Sequence, residues 1–145
     1  MVKKTVLSFL ILIISGVSYS NSYFHNIEVV RVIDGDTIVV TLPGIPEVFG
    51  KKISIRLAGI DTPEMRAKCP YEKGFAIRAK DRLEGLLMKA RVVSVDDARR
   101  DKYFRILGEV LADGENVAAT LIEEGLAVTY SGGRKRDWCN YRKIR

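Results

Sequence analysis

The feature that most constrains this chain is a pair of acidic turns set at the ends of β-like sequence. The first is Ile33-Asp34-Gly35-Asp36-Thr37, and the second closes the run Arg56-Leu57-Ala58-Gly59-Ile60-Asp61-Thr62-Pro63-Glu64. Asp-Gly is a hairpin turn signal, and residues 27–33 and 37–42 on either side are rich in β-branched side chains, so Asp36 is predicted at a hairpin tip. Residues 53–57 alternate cleanly: Ile53, Ile55 and Leu57 share one face, and Arg56 lies on the other, either solvent-exposed or aimed at a site. Pro63 ends that strand and biases Thr62 to extended backbone, which leaves Glu64 on a turn. The two turns hold four carboxylates, those of Asp34, Asp36, Asp61 and Glu64. Carboxylates on strand-supported turns are hard oxygen ligands for a divalent cation.

Beyond Pro63 the spacing changes. Residues 71–89 carry Phe75, Ala79, Leu83, Leu86 and Leu87 at helical intervals, an ordinary core stripe with no cofactor motif. Residues 91–95 read as a short strand, and Asp96 to Asp101 as a charged loop without periodicity. Residues 103–112 alternate as a fifth strand. Asn116 is placed to cap a second helix running to Glu124, with Val117, Leu121 and Ile122 inward and Gly125 as its stop. The predicted order is βββαββα, an α+β chain. Five short strands avoid open edges most simply as a small, partly open barrel capped by helices.

A chain of 145 residues suits one domain. Its 29% charged residues exclude a multi-span membrane protein, and its 47% hydrophobic residues exclude a largely disordered chain. Lys3 and Lys4 precede an apolar run over 6–14 and the small-residue stretch Ser15-Gly16-Val17-Ser18-Tyr19-Ser20. That arrangement is expected of a cleaved export signal over residues 1–20; an uncleaved membrane anchor is the other reading, but the run is shorter than the roughly 20 apolar residues a membrane span needs. The remaining 21–145 is expected to be one secreted or periplasmic domain, with a core over about 27–130 and a basic tail over 131–145. Lys3 and Lys4 account for two of the six formal positive charges, so the remainder carries +4. In the tail Arg134, Lys135, Arg136, Arg142, Lys143 and Arg145 face only Asp137. Such a patch suits a polyanion such as nucleic acid, and equally a solvated tail. Cys69 and Cys139 permit one intramolecular bond, which export favours; two free thiols are the other reading.

Taken together, Val32-Ile33-Asp34-Gly35-Asp36-Thr37, Ile55 to Glu64, and Asp101-Lys102-Tyr103-Phe104-Arg105 resemble the three signature segments of the staphylococcal-nuclease-like (thermonuclease) family, in order and spacing as well as residue type. The resemblance implies a five-stranded barrel of the oligonucleotide-binding (OB) type with two or three packed helices. It implies Ca²⁺ held by Asp36, Asp61 and the carbonyl of Thr62, and Glu64 orienting or deprotonating the attacking water. It assigns Arg56 and Arg105 to the phosphate in the transition state, and Lys102 and Tyr103 to the terminal phosphate. Tyr130 corresponds either to a base-stacking tyrosine or to core packing. Phe104 stands where the family usually has Gly, and the short region after Ser131 implies an absent or reduced third helix.

The implied activity is that of a monomeric, exported, Ca²⁺-dependent endonuclease acting on DNA and RNA with low sequence specificity, not inserted in a membrane once its signal is removed, and leaving 3′-phosphate ends. The alternatives are a nucleic-acid-binding module of the same fold that has lost catalysis, or a metal-stabilised structural domain. Each residue has a plainer reading too: Asp34 and Asp36 as turn formers, Arg56 and Arg105 as surface strand residues. Asp34 and Glu47 receive no role.

Overall fold

A computed structural model of the chain describes residues 22–46, 48, 50–103 and 105–140. The expected export signal, Glu47, Phe104 and the basic residues Arg142, Lys143 and Arg145 lie outside the described residues. The elements, in chain order, are β1 (Ser22–Phe24), β2 (Glu28–Asp34), β3 (Thr37–Thr41), β4 (Ile53–Leu57), β5 (Ile60–Asp61), α1 (Pro70–Lys89), β6 (Val93–Arg100), β7 (Ile106–Ala112), β8 (Glu115–Asn116), α2 (Val117–Glu123) and β9 (Val128–Thr129).

Five of these strands make the barrel, running β2-β3-β4-β7-β6. The β2-β3, β3-β4 and β6-β7 pairs are antiparallel, while β4 and β7 are parallel, Arg56 standing beside Leu107. The backbone N–H of Ile27 donates to the carbonyl of Val93 over 2.9 Å, which ties the start of β2 back to the start of β6. The α+β barrel of OB type is therefore the fold observed, with two helices among the described residues. Residues 131–140 form no helix.

Its core is the apolar side of these strands. Val32, Ile38, Val40, Ile55, Leu57, Val95 and Val110 meet Leu83 and Leu87 of α1 and Val117 and Leu121 of α2. Each fully buried aliphatic side chain of this size contributes about 1.5–3 kcal/mol. Helix α1 begins at Pro70 after a Cys69 cap whose sulfur accepts from the N–H of Glu72. Asn116 caps α2 by accepting from the N–H groups of Ala118 and Ala119. Gly125, at φ 69°, turns the chain out of it. Arg82 of α1 and Glu124 after α2 form a forked ion pair that joins the two helices.

Three readings of the sequence are corrected. The charged stretch from Asp96 is not a loop as far as Arg100, because β6 continues through it. A bulge between Asp96 and Arg99, with Asp97 at φ 46°, interrupts the two-residue alternation that would have marked a strand. Conversely, β7 starts at Ile106 and not at Tyr103. Instead the Asp101 carboxylate accepts from the N–H groups of Tyr103 and Arg105, satisfying locally the groups a ladder would have used. The helical stripe is also rotated by one position early in α1, where Ala76 is buried and Phe75 lies half-buried, its ring tilted against Tyr71 and beneath Arg78. The short strands β1, β5, β8 and β9 carry no pattern long enough to read.

Candidate active site

The β2–β3 turn is the first wall of the site. Asp34 accepts the N–H of Asp36 over 3.1 Å, so this unassigned acid shapes the turn that presents its neighbour. Gly35 lets that turn press inward: a Cβ there would stand 2.8 Å from the Cβ of Ala79 on α1 and 3.0 Å from that of Thr62. Only glycine permits such an approach, which sets Asp36 against the second acidic turn. That second turn is held by β5 pairing with β9, and by the N–H of Tyr130 donating to the carbonyl of Gly59 over 2.8 Å.

Arg56 points into the site and not to solvent. Its guanidinium reaches the Asp36 carboxylate at 3.1 Å and donates to the carbonyls of Leu57 and Ile60, each at 3.2 Å. Asp36 also accepts from the Thr37 hydroxyl. Burial pushes its carboxyl up from the ordinary value to about 6, and Asp34 adds to this. Arg56, the Thr37 hydroxyl and Lys135 pull the other way.

Asp61 is buried to 1% exposure. The indole N–H of Trp138 donates to its Oδ2 over 3.1 Å, while its Oδ1 accepts no hydrogen bond and faces the Lys135 ammonium at 3.4 Å. The same ammonium is hydrogen-bonded to Glu64. Burial alone would lower the Lys135 pKa, but the Glu64 bond and the charges of Glu64, Asp61 and Asp36 outweigh it and raise it. The backbone N–H of Glu64 in turn donates to Glu72, a buried carboxylate at the start of α1.

The opposite wall carries Asp101, Lys102, Tyr103 and Arg105. Arg105 is held by Asp101 through its side chain at 2.8 Å, and its guanidinium lies 5.4 Å from the Tyr103 ring. Lys102 flanks the same ring at 5.1 Å, and Tyr103 is 65% exposed. Tyr130 is at the rim, half-buried, with its hydroxyl donating to the carbonyl of Gly133; it lines the cleft and is no part of the core cluster.

These groups meet in one open cleft of about 920 Å³, whose walls include Asp36, Arg56, Glu64, Lys102, Tyr103, Arg105 and Tyr130. Asp61 and Thr62 lie buried behind it. Sequence reasoning gave no role to four residues that the fold brings to the site. Asp101 stood inside a quoted segment, Lys135 was counted among tail charges, and Glu72 and Trp138 were passed over because their partners are 8 and 77 positions away. Cys69 and Cys139 are bonded, with Cα atoms 6.0 Å apart, and this bond fastens the segment carrying Lys135 and Trp138 to the cap of α1.

A hard divalent cation fits the donors present. Asp61 Oδ1 is a buried carboxylate oxygen with no hydrogen-bond donor, and one ammonium feels the charges of Asp36, Asp61 and Glu64 together. Among the described residues, the acidic and thiol ligand atoms that gather within 4.8 Å as a triplet are those of Cys69, Glu72 and Cys139, whose sulfurs are spent in the disulfide. Asp36, Asp61 and the Thr62 carbonyl are the groups that could hold such an ion, with Glu64 on the wall of the same cleft.

The sequence is also similar to known proteins. The profile of the family described as staphylococcal nuclease homologue matches residues 54–144. The chain is 38% identical to Endonuclease YncB of Bacillus subtilis over 106 residues, covering 70% of this chain and 46% of that protein. It is 36% identical to Micrococcal nuclease of Shigella flexneri over 112 residues, 71% of this chain and 57% of the relative. Against Thermonuclease of Staphylococcus hyicus it is 34% identical over 110 residues, 74% and 61% respectively. The chain therefore spans less than two thirds of the length of each of these relatives.

Proposed function

The chain belongs to the staphylococcal nuclease homologue family, and from that premise we propose that it is an exported, monomeric, Ca²⁺-dependent endonuclease hydrolysing DNA and RNA phosphodiesters with low sequence specificity. The observation that carries the reading is the meeting of Asp36, Arg56, Glu64 and Arg105 in one cleft, although Arg105 comes from a separate part of the sequence.

In this reading the substrate backbone lies along the cleft with its scissile phosphate between Arg56 and Arg105. Arginine forks match the equatorial oxygens on which charge builds as water attacks phosphorus. Asp36, Asp61 and the Thr62 carbonyl would hold a divalent cation, which would supply charge neutralisation at a phosphoryl oxygen and activation of water. Glu64 takes the proton of the attacking water as the new P–O bond forms. The bond to the 5′-oxygen breaks, that oxygen takes a proton from solvent, and a 3′-phosphate end remains. Tyr103 and Tyr130 offer aromatic faces to the flanking bases, and Lys102 a charge to a neighbouring phosphate. Asp61 and Thr62 are buried, Asp61 within the β5–β9 pair, whereas Lys102 and Tyr103 on the opposite wall are exposed.

The test is cleavage of single-stranded DNA and of RNA by the disulfide-bonded protein with Ca²⁺, repeated with chelator. Expected are 3′-phosphate products that disappear on chelation. Saturable binding without turnover would instead support the binding module of the same fold, and chelator-insensitive cleavage would remove the metal from the reading.

A further inference from the structure

Lys135 occupies a position for which its exposure on a basic tail gives no warning. Its ammonium lies 3.4 Å from Asp61 Oδ1 and is bonded to Glu64, so two of the acids assigned to the cation and its water share one internal positive charge. An exposed lysine pair usually contributes little. This one differs on the Asp61 side, where the carboxylate is 1% exposed and that oxygen has no hydrogen bond to offset the loss of water.

The backbone delivers the side chain there from both directions. Upstream, Gly132 and Gly133 take φ of 108° and 89°, conformations that other residues rarely adopt, and Tyr130 holds Gly133 through its hydroxyl. Downstream, Trp138 is hydrogen-bonded to Asp61 itself and Cys139 is bonded to Cys69. The ammonium also has somewhere else to go. Lys135 lines both the 920 Å³ cleft and an adjoining open groove of about 500 Å³, whose wall also carries the carboxylate of Asp137.

We propose that Lys135 is an exchangeable internal cation of the carboxylate site: it neutralises Asp61 and Glu64 in the metal-free protein and must leave them before they serve a divalent cation. The proposal rests on the functional reading above. Its consequence is a competition within the molecule. If the ammonium is docked about nine tenths of the time, the apparent metal Kd is about ten-fold weaker than that of the open site.

Ca²⁺ titration of the intact, disulfide-bonded protein tests this, read by calorimetry and by the fluorescence of Trp138, the single tryptophan of the chain, whose indole touches Asp61. Lys135→Ala and Lys135→Gln should each lower the Ca²⁺ Kd by about ten-fold. Arg134→Ala removes the same charge from the same segment without touching the carboxylates, and should shift Kd by less than about two-fold. Equal shifts in all three variants would reduce Lys135 to a contributor to the general field and overturn the proposal. Tight binding by wild type and both Lys135 variants alike would overturn it while leaving the nuclease reading intact, and absence of Ca²⁺ binding in every form would overturn both.

Discussion

The indole N–H of Trp138 donates to Oδ2 of Asp61 over 3.1 Å. This joins the end of the described chain to the most deeply buried carboxylate of the site, 77 positions earlier. The C-terminal segment is therefore part of the floor of the cleft, and the Cys69–Cys139 bond is its anchor. A sheet alone would leave Asp61 without that donor.

Removing the anchor should loosen floor and fold together. The bond closes a 70-residue separation, which on the loop-entropy account contributes about 4 kcal/mol. Cys139→Ser is expected to lose stability of that order in urea unfolding, and Trp138 emission should shift toward that of a solvated indole under native conditions. A variant as stable as the oxidised parent would show that the bond restrains nothing.

The two arginines are predicted to be irreplaceable by lysine. Arg56 uses three contacts, to Asp36 and to the carbonyls of Leu57 and Ile60, that a single ammonium cannot make together. Arg56→Lys and Arg105→Lys should each lower kcat on single-stranded DNA by about 10²–10³ while the circular dichroism spectrum is retained. Asp101→Ala, which releases Arg105 and Tyr103 without deleting either, should lower kcat less than Arg105→Lys does.

Gly35 is expected to tolerate no side chain. A Cβ would meet Ala79 at 2.8 Å and Thr62 at 3.0 Å, so Gly35→Ala must push the β2–β3 turn away from both. The expected loss is about 1–3 kcal/mol, as for other overpacked sites, with Asp36 displaced from the Thr62 side. Thermal melting and Ca²⁺ affinity should fall in parallel. Unchanged values in both would mean the turn is free to yield.

Acid should destabilise the protein through its surface carboxylates. The N–H groups of Arg91 and Val92 hold Asp113 below its ordinary pKa, and the Arg82 fork does the same to Glu124. A carboxylate with a depressed folded pKa contributes stability that is present above its unfolded pKa and is lost as pH falls through the folded one. Stability measured in urea should therefore decline as pH drops below about 4. Asp113→Asn should flatten that decline, and an unaltered slope would exclude Asp113 as a contributor.

Much of the architecture is legible along the chain. The Asp34-Gly35 turn, the alternation over Ile53 to Leu57, the stripe through Ala79, Leu83 and Leu87, and the Asn116 cap are local signals, and each element appears within a few residues of its expected place. What is lost is where a bulge or a side-chain bond breaks the regular period. The bulge at Asp97 scrambles the period of β6, and the Asp101 carboxylate takes the N–H groups of Tyr103 and Arg105.

The sequence by itself determined the fold class, both acidic turns and the types of residue available for phosphate and metal chemistry, because those depend on periodicity, turn propensity and short spacing. Only the tertiary structure decided that Arg56 turns inward, that Asp34 shapes its turn while Asp61 is sealed beneath Trp138, and that Lys135 stands among the acids. Those outcomes depend on a close approach at Gly35, a parallel β4–β7 pairing and a disulfide. Each brings together groups far apart in the chain, and no local pattern encodes such a distance.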